Sequence, residues 1–295
     1  MSNIHKKLVV VVGPTASGKS ALAICIAQKY NGEILSADSR QVYKNMDIGS
    51  GKIMKKEMHG IPHHLLDIAH PSRRFTVLKY QSLAYRTLHD IWQRGKLPIL
   101  CGGAGLYIHA VVDGVSIPKV KPNYVLRKKL GKQSTSTLFA ILKKKDPQRA
   151  LNIDPHNPRR LIRALEIVYA LGKVPPSQSK PLDANILFIG IKKDSEKLKK
   201  LITKRLHARM KQGMIQEVSN LHYNGVSWKR LEDFGLEYRY IAQFLQKKIT
   251  RQEMLQTLKK EIYAYAKRQM TWFKKEKRIH WIHTLKETES FLKSF

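Results

Sequence analysis

Three features of the sequence predict its fold class. A short β-branched run leads straight into Gly13-Pro14-Thr15-Ala16-Ser17-Gly18-Lys19-Ser20, strand-like and helix-like periods alternate around it, and a proline-rich basic stretch carries no evident strand. Together they predict an α/β fold, an open parallel sheet of the P-loop NTPase-like kind flanked by helices, with a helical insertion.

Residues 8–12 (LVVVV) read as a strand buried on both faces, because the run is apolar without alternation and ends at a glycine. Residues 20–30 have helical apolar spacing and stop at Asn31-Gly32. Residues 33–37 (EILSA) give a second strand and 97–101 (LPILC) a third, separated by a helix over 78–94 that Gly95 closes. A further helix is expected over 106–112. Between Pro118 and Ala184 the chain is helical and carries eight prolines. Residues 185–191 (NILFIGI) resume strand character, and helices and a last strand at 278–282 follow. The organisation expected is a core at 1–117, an insertion at 118–184 and a second core segment at 185–295.

Composition narrows the function. The chain has 295 residues, 42% of them hydrophobic, which excludes disorder as its main state. Two cysteines, Cys25 and Cys101, cannot build a disulfide framework or a four-thiolate zinc site. No apolar run approaches the roughly 20 residues of a membrane span, and residues 8–12 are too short for a signal-peptide core. A cytoplasmic protein without a membrane partner is expected. The formal charge is +33, and residues 119–184 hold 15 Lys/Arg against 4 Asp/Glu. That excess suits a polyanion such as RNA. A generally lysine-rich composition would produce it too, so charge alone decides nothing.

Residues 13–20 match GxxxxGK[ST] in full, between a strand and a helix as the chemistry requires. Glycines let the backbone wrap an anion, and its N–H groups and the following helix N-terminus point at phosphate. Lys19 would reach the outer oxygens, and the Ser20 hydroxyl would help hold Mg²⁺. A P-loop nucleotidase usually has another strand ending in a metal-holding Asp. Residues 97–101 instead run into Gly102-Gly103, and the nearest strand-end carboxylate is Asp38. It sits where ligands collect in such sheets, as a metal-holding carboxylate or a general base.

GPTASGKS at 13–20, SADSRQVYKNMDIGSGK at 36–52, HHLLDI at 63–68, GGAGLYIHA at 102–110, NPRRLIRALE at 157–166 and YAKRQMTWF at 265–273 stand in one order. Over nearly the whole chain they resemble the tRNA dimethylallyltransferase (tRNA isopentenyltransferase) family. The resemblance implies that the P-loop holds the diphosphate of dimethylallyl diphosphate. The prenyl group then goes to N6 of the adenosine 3′ of the anticodon, while a helical insertion grips the tRNA anticodon stem-loop. It implies Asp38 as general base, Arg205 beside Lys19 at the leaving diphosphate, and Mg²⁺ as cofactor. It also implies RNA contacts from Asp38, Ser39, Arg40, Gln41, Ala104, Arg127, Arg159, Arg160, Leu161 and Arg163, and a monomer by default. Arg205 lies at the edge of the helical stripe Leu198, Leu201, Ile202, Leu206 and Met210, where an arginine is expected to meet an anion. Arg159 and Arg163, four apart, share one helical face.

Some residues are expected to be structural. His59, His63, His64 and His70 lack the further ligands of a tetrahedral metal site. Tyr263, Tyr265, Trp272 and Phe273 have the spacing of core residues. The sequence departs from the family pattern at Ala104, where a threonine is usual, at Gly235-Leu236-Glu237-Tyr238, and at Glu261-Ile262. Two other readings remain: a small-molecule or nucleoside kinase using the loop with ATP, and an RNA-binding module without catalysis. The second would be favoured if Lys19 or Asp38 were missing, and both are present.

Overall fold

The computed structural model describes residues 6–176, 178–284 and 286–295. The chain forms two compact units, residues 1–113 with 181–295, and residues 114–180. The expected insertion began and ended four residues later. Its base closes earlier because Val115 and Ser179 pair as an antiparallel bridge and the Lys180 N–H donates to Gly114 O at 3.2 Å.

The first unit is built on a six-stranded parallel sheet of β1 (Lys7–Val12), β2 (Gly32–Ala37), β3 (His63–His64), β4 (Leu97–Gly102), β5 (Asn185–Ile191) and β6 (Ile279–Ile282), in the order β3-β2-β4-β1-β5-β6. The two-residue β3 was not foreseen. Its helices are α1 (Lys19–Lys29), α2 (Val77–Gln93) and α3 (Gly105–Val112) before the second unit.

β1 is central, so its side chains are buried on both faces. Leu8, Val10 and Val12 pack with Leu35, Leu100 and Phe188 against helices on one side. Val9 and Val11 pack with Ile34, Ile99 and Ile189 against Leu22, Ala23 and Ile26 of α1 on the other. This double burial is why the run is continuously apolar. Each such side chain contributes about 1.5–3 kcal/mol of transfer free energy.

The second unit holds α4 (Tyr124–Leu130), α5 (Thr135–Lys145), α6 (Pro147–Leu151) and α7 (Pro158–Leu171). Its core joins Leu130, Leu138, Leu142, Leu161, Leu165 and Val168. α7 begins as Asn157-Pro158 predicts: the Asn157 side chain accepts from Arg160 N–H, Pro158 fills the first turn, and Gly172 ends the helix with φ 80°.

After β5 the first unit resumes with α8 (Ser195–Lys211), α9 (Met214–Tyr223), α10 (Trp228–Phe234), α11 (Leu236–Leu245) and α12 (Arg251–Phe273), then β6 and α13 (Glu287–Lys293). α12 buries Met254, Leu258, Ile262, Ala266, Gln269 and Phe273 along one stripe, with a single amide among apolar residues. Among the described residues no helix is long and apolar enough to cross a membrane.

Candidate active site

The adjacent strands β2, β4 and β1 deliver Asp38, Gly103 and the loop 13–20 to one carboxyl edge of the sheet. Gly13 has φ 147°, and a Cβ there would lie 2.9 Å from Ile191 O, so the tight entry to the loop excludes a side chain. Gly18, at φ 96°, provides no side-chain cap for α1. The first N–H groups of that helix are therefore available to an anion. Ser17 is buried and its hydroxyl has no hydrogen-bond partner among the described residues.

Two cations converge on this loop. Lys19 Nζ donates to Pro14 O at 2.7 Å, and Arg205 of α8 donates to Thr15 Oγ1. Neither has a carboxylate ion-pair partner among the described residues. Burial lowers the Lys19 ammonium to about 8, with Arg205 pushing the same way while Cys101 and Asp38 oppose it. Burial, followed by the charge of Arg209, lowers Arg205 to about 10, so it remains cationic at neutral pH. The Asp38 carboxylate acts electrostatically on Lys19, Arg205, Tyr107 and Tyr265, which gathers these residues around one space.

Asp38 is shaped by its own turn: Oδ1 accepts from the N–H of Arg40 at 2.8 Å and of Gln41 at 3.4 Å. This holds the carboxylate at the strand end without a paired cation. The following segment is braced from beneath. Glu217 of α9 accepts from the consecutive N–H groups of Asp47, Ile48 and Gly49 at 2.8, 2.6 and 3.0 Å, and from the Tyr238 hydroxyl at 2.9 Å. Lys52, buried, joins Asp47 at 2.5 Å and Asp67 at 2.6 Å, which ties the 36–52 motif to HHLLDI. A cavity of about 1140 Å³ opens beside the loop, lined by Ser20, Asp47, Lys52, Met54, Arg205 and Arg209.

Sequence reasoning missed Gln269. Thr15 N–H donates to its Oε1 at 2.8 Å, and its Nε2 donates to Gly103 O at 2.9 Å, so one amide links the phosphate loop to the end of β4. A Cβ on Gly103 would collide with Gln269, and one on Gly105 would collide with the Trp272 indole. Gln269 and Trp272, three apart on α12, thus read two glycines of the GGAG segment. The available signal was a lone amide in an otherwise apolar helical stripe. Trp272 was expected in the core and is 38% exposed, whereas Phe273 is buried. Tyr263 and Tyr265 are only partly buried.

Several residues expected at RNA have other engagements. Gln41 accepts from Ser36 Oγ at 2.9 Å and donates to Gly51 O at 3.1 Å, so both ends of its amide brace the turn. Arg40 Nε donates to Phe234 O at 2.8 Å, and Arg40 also bonds Ser39 O and Oγ. In the second unit Arg127 makes two bonds to Glu166, at 2.9 and 2.7 Å, and Arg163 bonds the same carboxylate. Leu161 is 0% exposed, packed in that unit's core, so its side chain cannot meet RNA. Arg159 and Arg160 are exposed, while Arg163, expected on a shared face with Arg159, is turned to Glu166. Ala104, partly buried, precedes α3, and its N–H donates to Ala37 O at 3.2 Å.

The histidines have local partners: His63 bonds Ile61 O, His64 bonds Glu33 and His70 bonds Ser72. Elsewhere His109, Asp113 and Glu276 lie close together, but Arg278 bridges both carboxylates at 2.8 and 2.6 Å. Ser20, exposed at the loop, fits one oxygen ligand of Mg²⁺, whose remaining ligands in such sites come from phosphate and water.

A phosphate-loop motif at the carboxyl edge of a parallel sheet, met by two cations without carboxylate partners among the described residues, defines a P-loop-like α/β protein. The IPP transferase family profile matches residues 41–276, and the isopentenyl transferase profile matches residues 6–73. The tRNA dimethylallyltransferase 2 of Trichlorobacter lovleyi is 41% identical, covering 93% of this chain and 91% of its own. The tRNA dimethylallyltransferase of Anoxybacillus flavithermus is 39% identical, covering 96% and 92%. A full-length tRNA isopentenylpyrophosphate transferase from Bacillus halodurans superposes with TM-score 0.75 at 34% identity, covering 98% of this chain and 96% of that one. A eukaryotic dimethylallyltransferase acting on tRNA gives TM-score 0.79 at 27% identity, covering 94% and 74%. The chain belongs to the IPP transferase family.

Proposed function

We propose that this protein transfers a dimethylallyl group from dimethylallyl diphosphate to N6 of the adenosine immediately 3′ of the anticodon in tRNA. The observation that carries the reading is the pair Lys19 and Arg205, converging on the loop without a carboxylate ion-pair partner among the described residues, with Asp38 at the same sheet edge, one strand removed from β1. Two cations with no ion-pair partner among the described residues suit a substrate that supplies the negative charge.

The new bond joins N6 to the allylic carbon as the bond from that carbon to the diphosphate oxygen breaks. The diphosphate departs with the electron pair, and the N6 proton passes to the Asp38 carboxylate. An exocyclic adenine amine is a weak nucleophile because its lone pair is delocalised, so a base placed against it assists. Lys19, Arg205 and the loop N–H groups meet the charge that grows on the leaving oxygen. Ser20, with diphosphate oxygens and water, would hold Mg²⁺, which when bound supplies further positive charge there. The adenosine must leave its stack to reach this edge. Arg159 and Arg160, exposed on α7, are offered as phosphate contacts, and cytoplasmic tRNA is the pool on which the enzyme works.

Transfer of label from dimethylallyl diphosphate to unmodified tRNA, with ATP in a parallel tube, tests the reading. Label at the adenosine 3′ of the anticodon is expected. ATP consumption with unlabelled RNA would favour the kinase alternative. Asp38→Ala is expected to lower turnover at least about a hundredfold while tRNA still binds, and near-normal turnover would remove the base from Asp38.

A further inference from the structure

A second basic surface lies in the first unit, apart from the phosphate loop. A groove of about 710 Å³ runs between α8 and α12, lined by Lys199, Lys200 and Lys204 on one side and Lys259, Lys260 and Tyr263 on the other. Lys199 is paired with Glu196, which also lines the groove, at 2.6 Å. Among the described residues the other four lysines have no ion-pair partner. Four such ammonium groups around one concavity repel one another and raise the local positive potential, an arrangement that favours a multivalent anion.

Two further details bear on what that anion is. The Tyr263 hydroxyl is fixed by Ser195 Oγ at 2.7 Å, and Lys199 and Lys267 stand over its ring, 5.3 and 4.8 Å from the centroid. Lysines interleaved with an aromatic are the composition of a nucleic-acid surface. Lys259, Tyr263 and Lys267 are four apart, so the basic face runs about 12 Å along α12. It ends within a turn of Gln269 and within two turns of Trp272, which hold the glycines of the active-site edge. A membrane-surface helix would need large apolar side chains beside its lysines. Of the exposed ones described, only Trp272 lies on either helix.

We propose that the groove between α8 and α12 binds the sugar–phosphate backbone of the tRNA substrate, as a phosphate track within the core unit itself. The proposal rests on the tRNA reading above. Its lysines act on affinity through counterion release and carry no sequence information.

The test is the combined variant Lys200→Gln, Lys204→Gln, Lys259→Gln and Lys260→Gln in the full chain, with unmodified tRNA titrated at several salt concentrations. Affinity is expected to fall at least tenfold at moderate salt, and the slope of log affinity against log salt to shrink by about 2–3. The corresponding four Lys→Arg changes keep the charge and should retain both. Direct binding of dimethylallyl diphosphate reports that the variants are folded. An unchanged slope in the Gln variant overturns the proposal, as does equal loss in the Arg variant. Loss of binding to phosphatidylserine vesicles with tRNA binding intact would assign the groove to a lipid surface and overturn it too. If the parent protein binds tRNA with the full slope but transfers no prenyl group, the active-site reading fails while the groove stands. If transfer occurs and the slope is unmoved, the groove alone fails.

Discussion

Lys19 and Arg205 in the first unit and Arg127 and Arg163 in the second are all basic residues to which the family resemblance assigns a ligand, yet their surroundings differ. Arg127 and Arg163 close on Glu166, whose carboxylate is almost wholly buried and also accepts from Asn123 N–H at 2.6 Å. Lys19 and Arg205 find only a carbonyl and a hydroxyl. The difference appears in their electrostatics. The bonds from Arg127 and Arg163 outweigh burial and hold Glu166 below its ordinary value, whereas burial depresses the two loop cations with too little opposing negative charge. A basic residue to which the resemblance assigns a ligand is thus either already paired within the protein or left in deficit for a ligand to satisfy.

The largest effect expected from this contrast is at the loop. Lys19→Ala or Arg205→Gln should lower turnover by about 10²–10³, the usual consequence of removing a donor to a developing anion. The unfolding midpoint should hold or rise, because a buried cation without a partner is lost. A large drop in stability would show that these cations were structural after all.

Glu166→Gln should behave in the opposite way. It leaves two guanidinium groups facing a neutral amide and is expected to cost about 2–3 kcal/mol, toward the low end for buried pairs because the arginines are partly exposed. Hydrogen exchange within residues 114–180 would register it, with donor affinity unchanged. Unchanged protection there would erase the contrast.

The smallest effect is in pH. In the free protein Lys19 is charged below about 8 and loses its proton above that value. A bound diphosphate raises it, so binding above pH 8 must take up a proton. Donor affinity should be level below pH 8 on this group's account and then fall by up to about tenfold per pH unit. Titrations of dimethylallyl diphosphate between pH 7 and 9.5 would reveal the bend, and Lys19→Ala should abolish it.

The parts legible in the sequence are those whose signal is local. The strand, loop and helix around residues 13–20 are contiguous, Asp38 directly follows a strand, and Arg205 falls at the edge of a stripe within its own helix. What was not legible depends on distant partners. Gln269 lies 254 residues from Thr15, and nothing in its neighbourhood names the loop it holds. Trp272 has core spacing, but the surface it faces is a glycine, so its indole stays half in solvent. Arg163 and Glu166 are three apart on α7, a pairing that helical geometry permits, but Arg127 arrives from another helix. The resemblance assigns RNA contacts to Arg127 and Arg163, and the fold also joins both to one buried carboxylate.

The bond from Thr15 to Gln269 also sets an order in time. During synthesis the phosphate loop leaves the ribosome well before the amide that bonds Thr15, which is made 254 residues later. At about 5–20 residues per second that interval is roughly 13–50 s. β1 likewise waits for β4 and then β5 before both its edges are covered. Through that interval the nascent chain carries an anion loop that is not yet held in shape. A transcript cut short before α12 would yield a protein with every residue of GPTASGKS but without the amide that joins the loop to the end of β4.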